Sequence, residues 1–271
     1  MRQQSSLARL LASAAMTAIL GAGVGGCQTM SDITGSISSK GEPAPSADGD
    51  PRRAVELYGE HYRANPKNPE AALAYGQALR ATGQRSQAVA VFEQATIAHP
   101  SNKLLLAGFG RALADNGNFQ QAFDVLTKAH SPDNPDWRIL SVQGTALDQL
   151  GRHDEARRYY ASALKIMPEE PSVLSNLGLS YVLSKELAKA EEFLRRAYAS
   201  GKADARVRQN LGLVVGLQGR FAEAETIVKA DLPADEAAAN VTYLKEMLSR
   251  KNSSREGAGP LPVASLNRPP D

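Results

Sequence analysis

Four histidines, one cysteine and a few acid–base groups are the residues through which this chain could do chemistry. His61, His99, His130 and His153 stand far apart, with no second histidine four residues on and no ligand spacing, so they do not read as a metal set. His153-Asp154-Glu155 has the composition of a proton-transfer cluster. Gly21 to Gly26 spells the glycine pattern of a dinucleotide loop, but it lies in an apolar run that opens no strand–helix unit. No nucleophile elbow, zinc helix, phosphate loop or Cys–His pair occurs after residue 27. Cys27 is the only cysteine, which excludes an intrachain disulfide. An enzyme would have to work through Arg80, Arg111, Asp115 and Asp148, which look more like polar contacts for a peptide. The reading is of a non-enzyme with no cofactor, no metal and no small-molecule substrate.

The elements that carry these residues follow from a stretch that recurs. In Trp137 to Glu170, Leu140, Gly144 and Leu147 share one helical face. Gly151 stops that helix, and Ala156, Tyr160, Ala163 and Leu164 mark the inner face of a second, ended by Pro168. A shift of 34 residues reproduces the pattern. Gly144 falls on Gly76, Gly110, Gly178 and Gly212, and Ala156 on Ala88, Ala122, Ala190 and Ala224. Gly151 recurs as Gly83, Gly117 and Gly219, with Lys185 as the exception. Ala163 recurs as Ala95, Ala129 and Ala197, with Asp231 in the last copy. Phe119 and Phe221 hold the place of His153, which therefore reads as a packing residue. Trp137 reads as closing a junction between copies, with an interface anchor as the alternative.

Five contiguous copies result, 69–102, 103–136, 137–170, 171–204 and 205–238. Their helix-interior glycines together cost roughly 4–5 kcal/mol relative to alanine, so close helix–helix approach must offset them. This pattern resembles the tetratricopeptide repeat. The resemblance implies an all-α, right-handed tetratricopeptide-repeat solenoid, with first helices lining a concave groove and second helices on the convex back. Pro51 to Asn65 reads as half of a sixth repeat (51–68) that caps one end, with Ala54, Leu57, Tyr58 and Tyr62 on one face. Asp235 to Arg250 reads as a closing helix (domain bounds 239–251) with Val241, Leu244, Met247 and Leu248 on a face. Residues 252–271 read as a loose tail, in which Leu261-Pro262-Val263 and Leu266 could be a short docking motif.

The first 26 residues read as an export signal, with Arg2 and Arg9 before an apolar run from Leu10 to Val24. Val24-Gly25-Gly26-Cys27 resembles a bacterial lipobox, which implies that Cys27 is acylated and becomes the N-terminus. Gln28, rather than aspartate, favours the outer membrane with a periplasmic orientation. Residues 27–50 read as a flexible tether. Loss of Arg2 and Arg9 takes 31 basic side chains to 29, against 29 acidic, which leaves no electrostatic footprint for nucleic acid.

The groove places implied by the resemblance hold Gln77, Arg80, Arg111 and Asp115 in the first two copies. Arg138, Thr145, Asp148 and Gln149 follow in the third, Leu179, Val182 and Leu183 in the fourth, and Leu213 and Leu217 in the fifth. A change from polar to apolar along the groove suggests a binding surface. The closing helix could equally cover its apolar end. Chaperone-binding members of the family grip a carboxylate with lysine and asparagine. The corresponding places here include Leu73, Gln77 and Asn176 without the lysines, so that clamp is absent.

Taken together, the layout resembles the lipoproteins of tight-adherence (Flp) pilus assembly, the TadD type. That implies a scaffold binding protein partners in the cell envelope, the secretin or its accessory proteins. Pilotins, barrel-assembly lipoproteins and adaptors of cell-wall hydrolases share nearly the same plan. An envelope enzyme subunit is the reading from a different class.

Overall fold

The computed structural model describes residues 50–131 and 133–256, with side chains to residue 250. Cys27, the signal and tether segments, and Leu261 to Leu266 lie outside the described residues. Among the described residues twelve helices run in order. They are α1 Pro51–Ala64, α2 Pro69–Ala81, α3 Arg85–Ala98, α4 Lys103–Asp115, α5 Phe119–Ala129 and α6 Trp137–Gln149. Then follow α7 His153–Ile166, α8 Pro171–Leu183, α9 Leu187–Ala199, α10 Ala205–Leu217, α11 Phe221–Val228 and α12 Ala234–Glu256. The only β element among the described residues is an isolated bridge, Ser131 to Asn134. The chain divides into two compact units, one up to Val207 and one from Arg208.

Four of the first helices begin on a side-chain cap one residue before them. Asn68 accepts from Ala71 N at 2.9 Å, Asn102 from Leu105 N at 3.2 Å, and Asp136 from Arg138 N at 2.8 Å. Asp204 does the same for Val207 N at 3.1 Å. Each such bond satisfies a backbone donor that has no partner inside the helix. The second helices of the five complete copies lack such caps, because the turn before them is already fixed. In the third copy Arg152 N donates to Leu147 O at 2.9 Å and Gly151 N to Asp148 O at 3.0 Å. This doubly bonded stop needs a left-handed residue, and Gly151 has φ 78°. Lys185 takes the same conformation, φ 64°, with the same two bonds to Tyr181 O and Val182 O.

In the first unit the two helices of each copy close on a glycine. A Cβ at Gly76 would stand 2.5 Å from the Phe92 ring, at Gly110 2.4 Å from Leu126 Cγ, and at Gly144 2.6 Å from the Tyr160 ring. At Gly178 it would meet Leu194 Cγ at 2.8 Å and the Ala190 carbonyl at 3.1 Å. Those contacts leave no room for even a methyl group. The core is continuous with these junctions: Tyr62, Leu79, Phe92, Leu105 and Phe109 form one cluster, and Trp137, Leu140, Tyr160, Val173 and Leu177 another. Trp137 is thus a buried junction residue, with the Arg138 guanidinium carbon 4.6 Å from its ring centroid.

The second unit repeats the device and varies it. A Cβ at Gly212 would stand 2.5 Å from Val228 Cγ1, and one at Gly216 2.5 Å from Leu244 of α12. The closing helix therefore seats its buried Leu244 against α10. It is longer than the sequence pattern suggests, starting at Ala234 inside the nominal fifth copy and reaching Glu256. The stretch 252–256, read as loose tail, is helical in its backbone. Asp231, the odd member of the Ala163 column, forms a two-pronged ion pair with Arg208. Arg208 stands where the other copies have Ala72, Leu106, Leu140 and Leu174. Both partners differ together, so a charged contact stands where the other copies have an apolar one.

Two substitutions with opposite signs follow. Gly144→Ala should lower stability by about 1–3 kcal/mol, although alanine is the better helix former, because the Tyr160 ring cannot yield. Lys185→Gly should raise it by about 1 kcal/mol by relieving a left-handed lysine. Urea melts of the two variants should move in opposite directions, and a gain for Gly144→Ala would contradict the close-approach account.

Candidate protein-binding site

The first helices bring the polar candidates of the first unit into two separate groups. Arg80 on α2 and Asp115 on α4 form an ion pair at 2.7 Å, with side chains 11% and 16% exposed, so they tie the first copy to the second. A pair this sheltered is screened less than a surface pair. Gln77 beside it is half-buried, and Arg111 is buried with 5% exposure. Two of the expected ligand contacts thus bond each other inside the stack.

The second group centres on Asp148, near the end of α6 and 7% exposed. Its Oδ1 lies 2.9 Å from His153 Nδ1 and accepts from Ser180 Oγ at 2.8 Å, and its Oδ2 accepts from Tyr160 at 3.0 Å. The donors come from α7 and from α8 of the next copy. The Tyr160 hydroxyl also lies 3.3 Å from Thr145 Oγ1, and Thr145 donates to the Ser141 carbonyl at 3.2 Å. Burial pushes the Asp148 carboxyl above its ordinary value, against the opposing pull of its three hydrogen-bond donors and the His153 charge. Burial, and then the Asp148 charge, push the Tyr160 phenol well above its ordinary range.

Asp148, His153 and Ser180 are the residue types of a nucleophile–base–acid set, but the connectivity is different. Ser180 donates to the carboxylate itself rather than to imidazole Nε2, and it is fully buried. The arrangement ties the third copy to the fourth. A second tie lies nearby, where Asn176 Nδ2 donates to Ser141 Oγ at 3.2 Å. Sequence reasoning placed Asp148 and Thr145 in the groove but did not supply Tyr160, Ser180 or His153 as their partners. The available signal was Tyr160, the one member of its column in the five complete copies, beside Phe92, Leu126, Leu194 and Val228, that carries a hydroxyl.

The remaining candidates are more accessible or wholly apolar. Arg138 is half-buried, its Nη1 3.9 Å from Asp136, and Gln149 is exposed. In the fourth copy Leu179 and Leu183 are half-buried while Val182 is 3% exposed and belongs to the core. In the second unit Leu213 and Leu217 are half-buried on α10. Among the described residues no cluster of His, Cys, Asp and Glu could hold a metal, and no helix is long and apolar enough to cross a membrane.

Residues 46–108 and 141–205 each match a family model described as "Tetratricopeptide repeat". No curated protein matches the sequence. Among solved structures, a chain of an APC/C hetero-tetramer superposes with a TM-score of 0.62 at 20% identity, covering 76% of this chain. This chain spans only 41% of that one. PilW, a "widely conserved type IV pilus biogenesis factor", gives a TM-score of 0.62 at 20% identity, covering 71% of this chain and 91% of its own. PilF of Pseudomonas aeruginosa gives 0.53 at 18% identity, covering 73% and 93%. Identities this low establish a shared fold.

The ionisation of Asp148 has a testable sign. Its folded value lies above the unfolded one, so its contribution is fully present below the unfolded value and is lost as pH rises through the folded value. Asp148→Asn keeps an acceptor for His153 and Ser180 without the charge. Relative to this variant, wild type should therefore lose stability in urea melts as pH is raised from about 4 to about 7. A constant difference across that range would refute the buried-carboxylate account. Asp148→Leu removes the acceptor altogether and should cost about 1–3 kcal/mol for each hydroxyl left unpaired.

Proposed function

We propose that this chain, a tetratricopeptide-repeat solenoid, is a lipid-anchored scaffold that docks protein partners in the bacterial envelope. The observation that carries the reading is the order of its parts: Val24-Gly25-Gly26-Cys27, then a polar stretch, then the repeats. Acylated Cys27 holds the chain at the outer membrane, facing the periplasm, since several acyl chains together anchor stably where one does not. The repeats then present their first helices to a partner. The partner is the secretin, or an accessory protein, of a tight-adherence pilus. Two type IV pilus proteins of similar fold, PilW and PilF, make that class of machine a reasonable setting.

Recognition falls on the exposed and half-buried first-helix side chains, because the buried polar ones are committed to the stack. Gln149 and Arg138 in the third copy, and Leu179 and Leu183 in the fourth, are the contacts expected within the first unit.

Anchoring and docking are tested separately. Cys27→Ser should abolish fatty-acid labelling and release the chain from the outer-membrane fraction, and a variant that still labels and sediments would refute the anchor. A photocrosslinker at Gln149 should capture a secretin or pilus-assembly component in intact cells. The same probe at exposed Arg158, on a second helix, should not. Equal capture from both positions, or capture of unrelated envelope proteins alone, would refute the docking assignment.

A further inference from the structure

The helices of the first unit end at two edges, and the charges on those edges are handled differently. At the turn edge, where each first helix meets its second, Arg152, Arg157 and Lys189 are paired with Glu155, Asp154 and Glu186. Arg85 and Lys185 are left over there. The other edge holds the loops from one copy to the next, after Ala64, Ala98, Ala129, Ile166 and Ala199. Each of these loops has an exposed cation in it or beside it: Arg63 and Lys67, then Lys103, Lys128, Lys165 and Lys202. Among the described residues none of these cations forms an ion pair. The acids of that edge are mostly engaged. Asp136 and Asp204 cap α6 and α10, Glu169 pairs with Arg196, and Glu170 accepts from Ser172 Oγ at 3.0 Å. Glu70 and Asp133 remain, so the edge carries a surplus of unpaired positive charge.

The same edge carries the two most exposed large apolar side chains among the described residues, Ile97 at 78% and Leu104 at 67%. They flank one loop, Ile97 near the end of α3 and Leu104 near the start of α4. His99 Nε2 in that loop lies 2.7 Å from the Lys67 carbonyl oxygen, which sets two basic loops side by side. The repeat does not call for apolar residues here. The 34-residue step puts Arg63, Ser131, Lys165 and Ala199 in the column of Ile97. It puts Glu70, Arg138, Ser172 and Arg206 in that of Leu104. Apolar tips protruding among cations on long apolar stems suit a fluid interface better than a fitted protein pocket. The tips enter the acyl boundary while the cationic heads stay at the phosphates.

We propose that this edge rests on a bilayer surface containing anionic phospholipid. Ile97 and Leu104 enter the headgroup boundary, and Arg63, Lys67, Lys103 and Lys128 meet the phosphates around them. The setting rests on the envelope anchor proposed above. Between Cys27 and Pro51 stand 23 residues, whose contour of at most about 80 Å exceeds the roughly 21 Å along α1 to this edge. The turn edge then points away from the bilayer. Gln149 and Leu183, the last residues of α6 and α8, lie on that side and are presented to a partner.

Cys27 is the only cysteine, so a maleimide lipid attaches the full chain to vesicles at that residue, whether or not cells acylate it. A fluorescent amino acid replaces either Ile97 or Gln87, an exposed residue of the same helix about 15 Å toward the turn edge. In vesicles of about one third phosphatidylglycerol, brominated acyl chains should quench the label at 97 by about half or more. The label at 87 should lose less than about a tenth. Lys67→Glu together with Lys103→Glu should leave the melting temperature unchanged and bring quenching at 97 down to the level at 87. Phosphatidylcholine alone should give the same low value. Equal quenching at both positions, or none at 97 on anionic vesicles, would overturn the proposal. So would quenching that ignores the lysine variants. An emission shift at 97 that grows with chain concentration without vesicles would assign the surface to a second copy and also overturn it. Absent fatty-acid labelling in cells with quenching intact would sink the anchor and spare this edge.

Discussion

The nearness of two helices governs this fold. Within each complete copy the first helix offers a bare glycine and the second lays a side chain across it, closer than any Cβ would allow. Glycine is an unfavourable helix residue, so the stack tolerates it only because the approach buries Phe92, Leu126, Tyr160 and Leu194 almost completely. Which side chain lies across the glycine varies; the absence of one beneath it does not. The buried alanines on the second helices, Ala88, Ala122, Ala156 and Ala190, belong to the same close approach.

That constraint made most of the fold legible from the residues. Spacing of small residues announced helix pairs, copy number and turns, because the physics that requires them acts at every copy. The caps were equally regular, with Asn68, Asn102, Asp136 and Asp204 all falling on one column of the 34-residue frame. They do not stand out in the sequence because their neighbours are turn residues anyway. The full length of the closing helix is not legible because its last residues, Lys251 to Glu256, are polar and carry no apolar period.

The site was less legible, for a definite reason. A position in a repeat indicates which way a side chain is expected to face, but not what reaches it from the next copy. Arg80 and Asp115 lie 35 residues apart, and Asp148 and Ser180 lie 32 apart. Both pairs come from adjacent copies, and both turn expected ligand contacts into internal ones. Periodic comparison treats such residues as variable and hence free for recognition. In fact the polar ones specify which copy follows which, through the hydrogen bonds that a neighbour must supply.

The Arg208–Asp231 pair gives the fifth copy a helix junction of a different kind from the others. A repeat array grows when a copy is duplicated or exchanged, and that traffic is easy while every copy keeps the same inner contacts. Once leucine and alanine became arginine and aspartate, a crossover between α10 and α11 would strand one charge inside an apolar junction. The two helices of the fifth copy are therefore matched to each other by charge, as those of the third are matched by the Asp148–Tyr160 hydrogen bond, and neither pair could trade a helix with another copy without leaving a buried polar group unpaired.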